Sequence, residues 1–210
     1  MPTLVPRLIG STGASNSLVE FDLMALTLTE VRSGTVDYND LAAAPGGVFF
    51  GSDVDDIYSI DPQTLDPTLE CTSLIGGAES FASLEMVGDD LYAARTSLYL
   101  IDVDACSVTT IGPVTGGVTI FDIAYDEVND ILYGCDFTNL FTCDLVTGAC
   151  TSIGALPYRC AGLAFTPDMS TLYGSGFDGL FEIDIGNPGA STLLISAAPF
   201  SVINGLAFVN

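Results

Sequence analysis

Hydrophobic and polar positions alternate along this chain in short runs that recur about every forty residues. The clearest copies, residues 132–144 and 172–184, each hold a Leu-Tyr-Gly phrase, a polar loop and an apolar run that ends in Asp. The ends of five such runs are 39, 41, 42 and 40 residues apart, at Asp22, Asp61, Asp102, Asp144 and Asp184. Alternation predicts strands. A period of this length built from short strands is typical of a β-propeller with four-stranded blades.

A second repeat predicts the innermost strand of each blade. A small–apolar–Ala–apolar phrase occupies residues 122–125, 162–165 and 205–208, with variants at 40–43 and 83–86. Small residues suit a strand that is crowded near a central axis. We name the four strands of a blade a to d from the axis outward, so this phrase is strand a, the Leu-Tyr-Gly phrase is strand b and the run ending in Asp is strand c.

The count of phrases predicts how the ring closes. The last strand a is followed by no further strands, and the first three strands lack a strand a, so the C-terminal strand is expected to join the N-terminal three. We therefore predict one all-β domain, a five-bladed β-propeller with blades of about 42 residues. The predicted blades are residues 204–210 plus 1–36, 37–80, 81–119, 120–159 and 160–203.

The repeated aspartates have a structural explanation. Each stands where strand c reverses into strand d, and an Asp side chain accepts backbone N–H bonds in such a turn. We assign all five to folding rather than to five equivalent ligand sites.

Charge narrows the classes of partner. Twenty-seven acidic residues stand against four arginines, with no lysine or histidine, for a net charge of −23. Such a chain repels phosphate, so it is not expected to bind nucleic acid or anionic membranes, and its self-repulsion favours a monomer. No apolar run approaches the roughly 20 residues of a membrane helix. Without His and Lys, the imidazole and Schiff-base mechanisms are excluded, which leaves carboxylate chemistry or the binding of a hard cation by oxygen ligands.

Six cysteines predict disulfides and an oxidising compartment. Cys143 and Cys150 face each other across one hairpin, and Cys135 and Cys160 are predicted to join neighbouring blades. The remaining two, Cys71 and Cys106, fall on outer strands that diverge, which argues against a bond between them and leaves their partners open. Zinc is the alternative, but the chain has no Cys-x-x-Cys pair and no His.

Three acidic residues fall at the axis. Glu85 takes the place that Ala has in the other four strands a, and Asp40 and Asp122 begin their own strands. We expect Asp40 and Asp122 to cap backbone and Glu85 to bind water or a cation. The alternative is a glycoside hydrolase, in which two carboxyl groups stand about 5 to 9.5 Å apart.

One face of the ring carries the d–a and b–c loops and predicts a binding surface. Aromatic rings beside amide and charged groups suit a sugar, which stacks on a ring and bonds through its hydroxyls. The predicted ligand-binding residues are Asn39, Arg95, Phe137, Tyr158, Arg159, Phe177, Asp178 and Asn204. No cofactor is predicted, with one alternative: Ca²⁺ at Asp53, Asp55 and Asp56, although the Gly and distant Glu of an EF-hand loop are missing.

The phrases GLAFTPD at 162–168, LYG at 172–174 and FEID at 181–184 resemble those of bacterial secreted or surface propeller-repeat proteins. The resemblance covers all five blades and carries no catalytic residues, and it implies an exported protein. No charged-then-apolar signal segment occurs at Met1, so any export signal is expected to have been removed or never to have existed. The sequence predicts a secreted or cell-surface recognition module for a glycan or a surface protein, not an enzyme. The alternatives are the hydrolase and a purely structural surface domain.

Overall fold

A computed structural model describes residues 6–13, 15–34, 36–45, 47–75 and 80–209. These residues form five four-stranded antiparallel sheets arranged as the blades of a propeller, which confirms the predicted fold. Of the predicted blade ranges, residues 1–5, 14, 35, 46, 76–79 and 210 lie outside the described residues.

Each blade runs from strand a at the axis to strand d at the rim. Blade 1 contains β20 (Leu206–Val209), β1 (Arg7–Thr12), β2 (Ser17–Asp22) and β3 (Thr27–Arg32). Blade 2 contains β4 (Asp40–Ala43), β5 (Phe49–Asp53), β6 (Asp56–Ile60) and β7 (Pro67–Cys71). Blade 3 contains β8 (Ser83–Val87), β9 (Asp90–Ala94), β10 (Ser97–Asp102) and β11 (Ser107–Pro113). Blade 4 contains β12 (Asp122–Asp126), β13 (Ile131–Cys135), β14 (Asn139–Cys143) and β15 (Cys150–Ala155). Blade 5 contains β16 (Gly162–Phe165), β17 (Leu172–Ser175), β18 (Gly179–Ile183) and β19 (Thr192–Ser196).

Helix is confined to two single turns within the described ranges. These are 3₁₀ turns at Thr115–Gly117 and Pro188–Ala190. No helix among the described residues is long and apolar enough to cross a membrane.

The hydrophobic core lies between neighbouring blades. The position three residues before the first apolar residue of each strand a is buried in all five blades, as Tyr38, Phe81, Ile120, Cys160 and Ile203. Apolar residues of the inner strands fill the same layers, because alternate residues of a strand point to opposite faces of its sheet. Each blade is therefore covered on both faces by its neighbours.

The ring closes through the pairing of β20 with β1, as predicted. Their antiparallel register runs from Arg7 opposite Val209 to Gly10 opposite Leu206. Ser11 N also donates to the Gly205 carbonyl at 3.0 Å. The first blade thus combines strands from both ends of the chain, and the pairing of β20 with β1 leaves neither strand as an unpaired end of the ring.

The repeated aspartates cap their turns, as the sequence predicts. In blade 4, Asp144 Oδ1 accepts Val146 N at 2.9 Å and Thr147 N at 2.8 Å. Asp22 and Asp61 accept the same two backbone bonds in their c–d turns, and Asp102 and Asp184 each accept one, from the residue three positions later. These backbone bonds stabilise the ionised form and lower the pKa of Asp144 and Asp61.

Two disulfides join the described cysteines. Cys143–Cys150 bridges β14 and β15 across one hairpin, which is the pairing that the sequence predicts. Cys71–Cys106 joins blades 2 and 3, with the two Cα atoms 5.4 Å apart. The argument from diverging outer strands was wrong for this pair. Cys106 lies in the β10–β11 turn rather than on an outer strand, so it reaches the end of β7.

The predicted bond between Cys135 and Cys160 is not formed, and both are buried free thiols. Cys160 takes a core position that other blades fill with Tyr, Phe or Ile, and Cys135 takes one that other blades fill with Ser or Ala. Both cysteines therefore serve as packing residues. The thiols are nevertheless neighbours, since burial and a hydrogen bond with Cys160 raise the pKa of Cys135.

This arrangement predicts the thiol content of the purified protein. We expect no reaction of the native protein with a thiol reagent, because Cys135 and Cys160 are fully buried, and two thiols per chain after unfolding without reductant. Peptide mapping without reduction should recover the Cys71–Cys106 and Cys143–Cys150 pairs. Zero thiols after unfolding would show that Cys135 and Cys160 are bonded in the purified protein.

Candidate functional site

The axis of the propeller opens into a cavity on each face. We call the face with the d–a and b–c loops the upper face, and the face with the a–b and c–d loops the lower face. The upper pocket, of about 260 Å³, lies at the axis. Its lining residues come from all five blades and are Asn39, Ala82, Arg95, Phe121, Phe137, Ala161, Phe177, Val202 and Asn204. Five of the eight predicted ligand-binding residues are among them.

Three phenylalanines form one side of the upper pocket. Phe121 stacks on Phe137 with ring centroids 3.8 Å apart, and Phe177 meets Phe137 edge to face at 5.7 Å. Phe177 keeps 42% of its surface exposed. The exposed part of this cluster offers an apolar platform that is fixed in position by ring–ring contacts.

Both arginines of the upper face contribute positive charge. The Arg159 guanidinium lies 5.2 Å from the centre of the Phe177 ring, and Arg95 lines the pocket and donates to Ser80 Oγ. In the part of the chain that the structure describes, the ion pairs are Arg7–Glu20 and Arg32–Asp66, and none of these four residues lines the upper pocket. Neither Arg95 nor Arg159 takes part in an ion pair with the described carboxylates.

Amide groups supply polar contacts beside the rings. The Asn39 side chain donates to the Phe81 carbonyl at 3.0 Å, which fixes its orientation and leaves its own oxygen as an acceptor. Asn204 also lines the pocket, and its backbone N donates to the Ser11 carbonyl at 2.8 Å. A side-chain bond of Asn39 and a backbone bond of Asn204 thus fix the two residues at the pocket wall.

The other predicted ligand-binding residues lie outside the pocket lining. Asp178 Oδ2 accepts the Arg159 backbone N at 3.1 Å, so these two exposed residues flank the pocket near Phe177. Tyr158 instead packs on Phe181, with ring centroids 5.4 Å apart, at the edge of the core between blades 4 and 5. Its position in a loop gave no sign of this inward packing.

Four lining residues are absent from the predicted ligand-binding set, namely Ala82, Phe121, Ala161 and Val202. Phe121 immediately precedes a strand a, as do Asn39 and Asn204, so its position relative to the repeat was a usable signal. Val202 comes from the d–a loop after β19, where the repeat has no recognisable phrase, and nothing in the sequence distinguished it.

Asp40 and Asp122 lie below the upper pocket and close the axis. Their exposed fractions are 0% and 1%. The two oxygens of Asp40 accept Leu41 N at 2.7 Å and Leu84 N at 2.6 Å. Those of Asp122 accept Ile123 N at 2.6 Å and Leu163 N. Each carboxyl therefore bonds its own strand a and the strand a of the next blade.

The two carboxyls are also close enough to interact with each other. Burial raises the pKa of Asp40 to about 7. Burial, with the neighbouring charge of Asp40, raises the pKa of Asp122 well above its ordinary value.

The equivalent positions of the other blades are small, which makes room for this pair. A Cβ on Gly205 would collide with Asp40 Oδ1, and a Cβ on Gly162 would collide with the Asn204 carbonyl. In blade 3 the residue is Ser83, whose hydroxyl instead bonds the backbone of Ala94 in its own sheet. The residues at this position, in order around the axis, are Asp40, Ser83, Asp122, Gly162 and Gly205, and packing accounts for the alternation of large and small residues.

Glu85 lies on β8, two residues after Ser83 and therefore nearer to the lower face. Its Oε1 accepts Tyr125 N at 2.8 Å, which connects blade 3 to blade 4. Burial raises the pKa of Glu85 to about 8, with smaller contributions from the charges of Asp40 and Glu127. The carboxyl lines the lower cavity, of about 340 Å³.

This geometry bears on the hydrolase alternative. A hydrolytic pair needs two carboxyls that both reach the sugar, whereas Asp40 and Asp122 are buried and their oxygens bond backbone N–H groups. Of the three acids, Glu85 alone lines a cavity, and that cavity lies on the face opposite the aromatic pocket.

The acidic loop proposed for Ca²⁺ connects β5 and β6 on the upper face. Asp56 Oδ1 accepts Thr72 Oγ1 at 2.7 Å and Ser73 N at 2.8 Å, so it holds the following loop. No group of three or more His, Cys, Asp or Glu residues that suits a metal ion occurs in the described ranges, Asp53, Asp55 and Asp56 included.

Comparison with known proteins supports the fold. No family model and no curated protein matches the chain. Among solved structures, one from a nidogen/laminin complex has a TM-score of 0.66 and 14% identity, over 98% of this chain and 99% of that one. A protein of unknown function from Bacteroides thetaiotaomicron has a TM-score of 0.63 and 14% identity, over 85% of this chain and 52% of that one. At such identity the likeness establishes a shared propeller architecture.

The buried axial carboxyls predict a stability that falls as pH rises. A folded carboxyl with a raised pKa binds more protons than the unfolded one, so its contribution is complete below about pH 4 and is lost as pH rises through about 7 to 8. Urea unfolding at pH 5 and pH 8 should show this loss, with a limiting slope of about 1.4 kcal/mol per pH unit for each such carboxyl. Glu85→Gln should weaken the pH dependence, and parallel curves for wild type and variant would contradict the assignment.

The bonds of Asp122 predict a large effect of its removal. Asp122→Ala should destabilise the protein by about 2 to 5 kcal/mol, since two buried N–H groups lose their acceptor. Asp144→Ala in the same blade is the matched control, because it also removes two backbone bonds but in an exposed turn where water replaces them. Equal losses in urea unfolding would show that the axial bonds have no special importance.

Proposed function

We propose that this chain is an exported, non-catalytic recognition module that binds its ligand in the upper pocket. The observation that carries the proposal is the convergence of one predicted residue from each blade on a single cavity. These residues are Asn204, Asn39, Arg95, Phe137 and Phe177, from blades 1 to 5 in order. Packing alone does not call for an exposed aromatic, two amides and an arginine to meet at the axis.

The chemistry of the pocket favours a glycan as the ligand. The exposed face of Phe177 suits the apolar face of a sugar ring, and Asn39, Asn204 and Arg95 present hydrogen-bonding groups for hydroxyls. A volume of about 260 Å³ is near the lower end of ligand pockets and suits one sugar residue at the end of a chain.

A protein segment is the second candidate ligand. The similar fold found in a nidogen/laminin complex belongs to an assembly of proteins, and an arginine with aromatic rings is also a frequent centre of protein interfaces. In that case a single side chain of the partner would enter the pocket.

Export is supported by the covalent structure. Two disulfides among the described residues fit an oxidising compartment. We also propose that the chain is of the bacterial secreted propeller-repeat type and that it uses Ca²⁺. The binding experiment tests the use of Ca²⁺.

The experiment is a glycan array with the oxidised protein, with Ca²⁺ and again with a chelator. We expect saturable binding of one glycan class and at least a tenfold weaker affinity for Phe177→Ala, because the variant loses the stacking surface. Met24→Ala is the control, since Met24 is 98% exposed in the outer turn of blade 1. Loss of binding with the chelator would show that ligand binding depends on a metal ion, although the described side chains form no metal-binding cluster.

Two results would contradict the glycan proposal. One is an array without specific binding, and the other is binding that Phe177→Ala and Met24→Ala leave equally strong. Turnover of a bound glycan that Glu85→Gln abolishes without unfolding would establish the hydrolase instead. A purely structural domain would show neither binding nor turnover.

A further inference from the structure

The lower cavity differs in chemistry from the upper pocket. It lies at the opposite mouth of the axis and is lined by the inner strands and a–b loops. Apolar and polar atoms share its wall, and Leu163, Phe165, Leu206 and Phe208 are among the apolar lining residues. The charged side chains in the lining are Glu85 and Glu127, and no basic side chain belongs to it.

Glu85 is the residue that makes this cavity unusual. Its counterparts on the other strands a are alanines, so the cavity would be apolar at this level without it. The backbone N–H groups of Tyr125 and Met86 bond its carboxyl. A carboxylate has about four lone-pair positions, so these bonds leave acceptor capacity toward the cavity that the side chain lines.

Charge and shape together define the ligand that fits. The apolar part of the wall accepts methylene groups, and a carboxylate at the inner end pairs with a cation. A net charge of −23 attracts cations toward the protein. The described residues gather no cluster for a metal ion, which favours an organic cation that needs only one carboxylate and an apolar surface.

We propose that the lower cavity binds an alkylammonium group, either of a free amine or at the end of a partner's lysine side chain. The alkyl part contacts the apolar wall and the ammonium pairs with Glu85, with Glu127 at the exposed rim. This site is independent of the upper pocket and does not rest on the function proposed for it.

Binding to this site should release a proton. The titratable groups that act on Glu85 are Asp40 from β4 and Glu127 after β12, while β16 and β20 contribute apolar lining residues. Because burial raises the pKa of Glu85 to about 8, the carboxyl is mostly neutral at pH 6 and must ionise to pair with an ammonium. Affinity for an amine is therefore expected to rise about tenfold per pH unit up to pH 8.

The test is calorimetric titration of the folded protein with n-hexylamine, with 1-hexanol and hexanoate as neutral and anionic probes. We expect one saturable site for hexylamine, an affinity at least tenfold weaker for hexanol, and no binding of hexanoate. At pH 7 the heat should depend on the ionisation enthalpy of the buffer, which reports the released proton.

Variants separate the cavity from the general negative field. Glu85→Gln should weaken hexylamine binding at least tenfold and remove proton release, whereas Glu182→Gln, which removes the same charge from the exposed surface of β18, should change neither. Equal binding of hexanol and hexylamine by the wild-type protein would overturn the proposal even if Glu85→Gln does not fold. Equal losses in the two variants would also overturn it.

The two sources of the ammonium group are distinguished by a second probe. Binding of N-acetyl-lysine methylamide with the same dependence on Glu85 would indicate a lysine side chain of a partner. Binding of hexylamine without the lysine derivative would indicate a free amine.

Discussion

The inner edges of the blades set the main constraint on this propeller. Each strand a presents backbone N–H groups to the axis, and a buried N–H without an acceptor is costly. Asp40 and Asp122 each bond two of these edges, from blade 2 to blade 3 and from blade 4 to blade 5. Glu85 bonds the edge of blade 4 from blade 3. Three carboxyls thus connect four blades in succession, and two of them, Asp40 and Asp122, are held in fully buried positions.

The same acids divide the axis into two sites of opposite character. Along strand a of blade 2, Asn39 lines the upper pocket, Asp40 is buried, and Ala43 lines the lower cavity. The upper pocket gathers aromatic rings with positive charge beside them, whereas the lower cavity holds carboxyl groups. A continuous channel would have mixed these environments, so the Asp40 and Asp122 carboxyls that connect the blades also separate the two cavities.

The sequence predicted the features that repeat and failed where a residue departs from the repeat. Ring closure, the turn aspartates and the residues around the axial mouth all follow from their positions within a blade. The Cys71–Cys106 bond did not, because it depends on where a turn of blade 3 meets the end of β7. Cys135 and Cys160 misled for the opposite reason, since they fill ordinary core positions and their chemistry suggested a bond. Tyr158 looked like a surface aromatic because periodicity says nothing about the rotamer of a loop residue.

The closing pair of strands also fixes how the propeller is presented to its surroundings. Arg7 lies opposite Val209 in the β1–β20 ladder, and Phe208 lines the lower cavity. Both ends of the described chain therefore leave the ring side by side on the lower face. A segment joined to either end would therefore begin beside the lower cavity and on the face opposite the upper pocket.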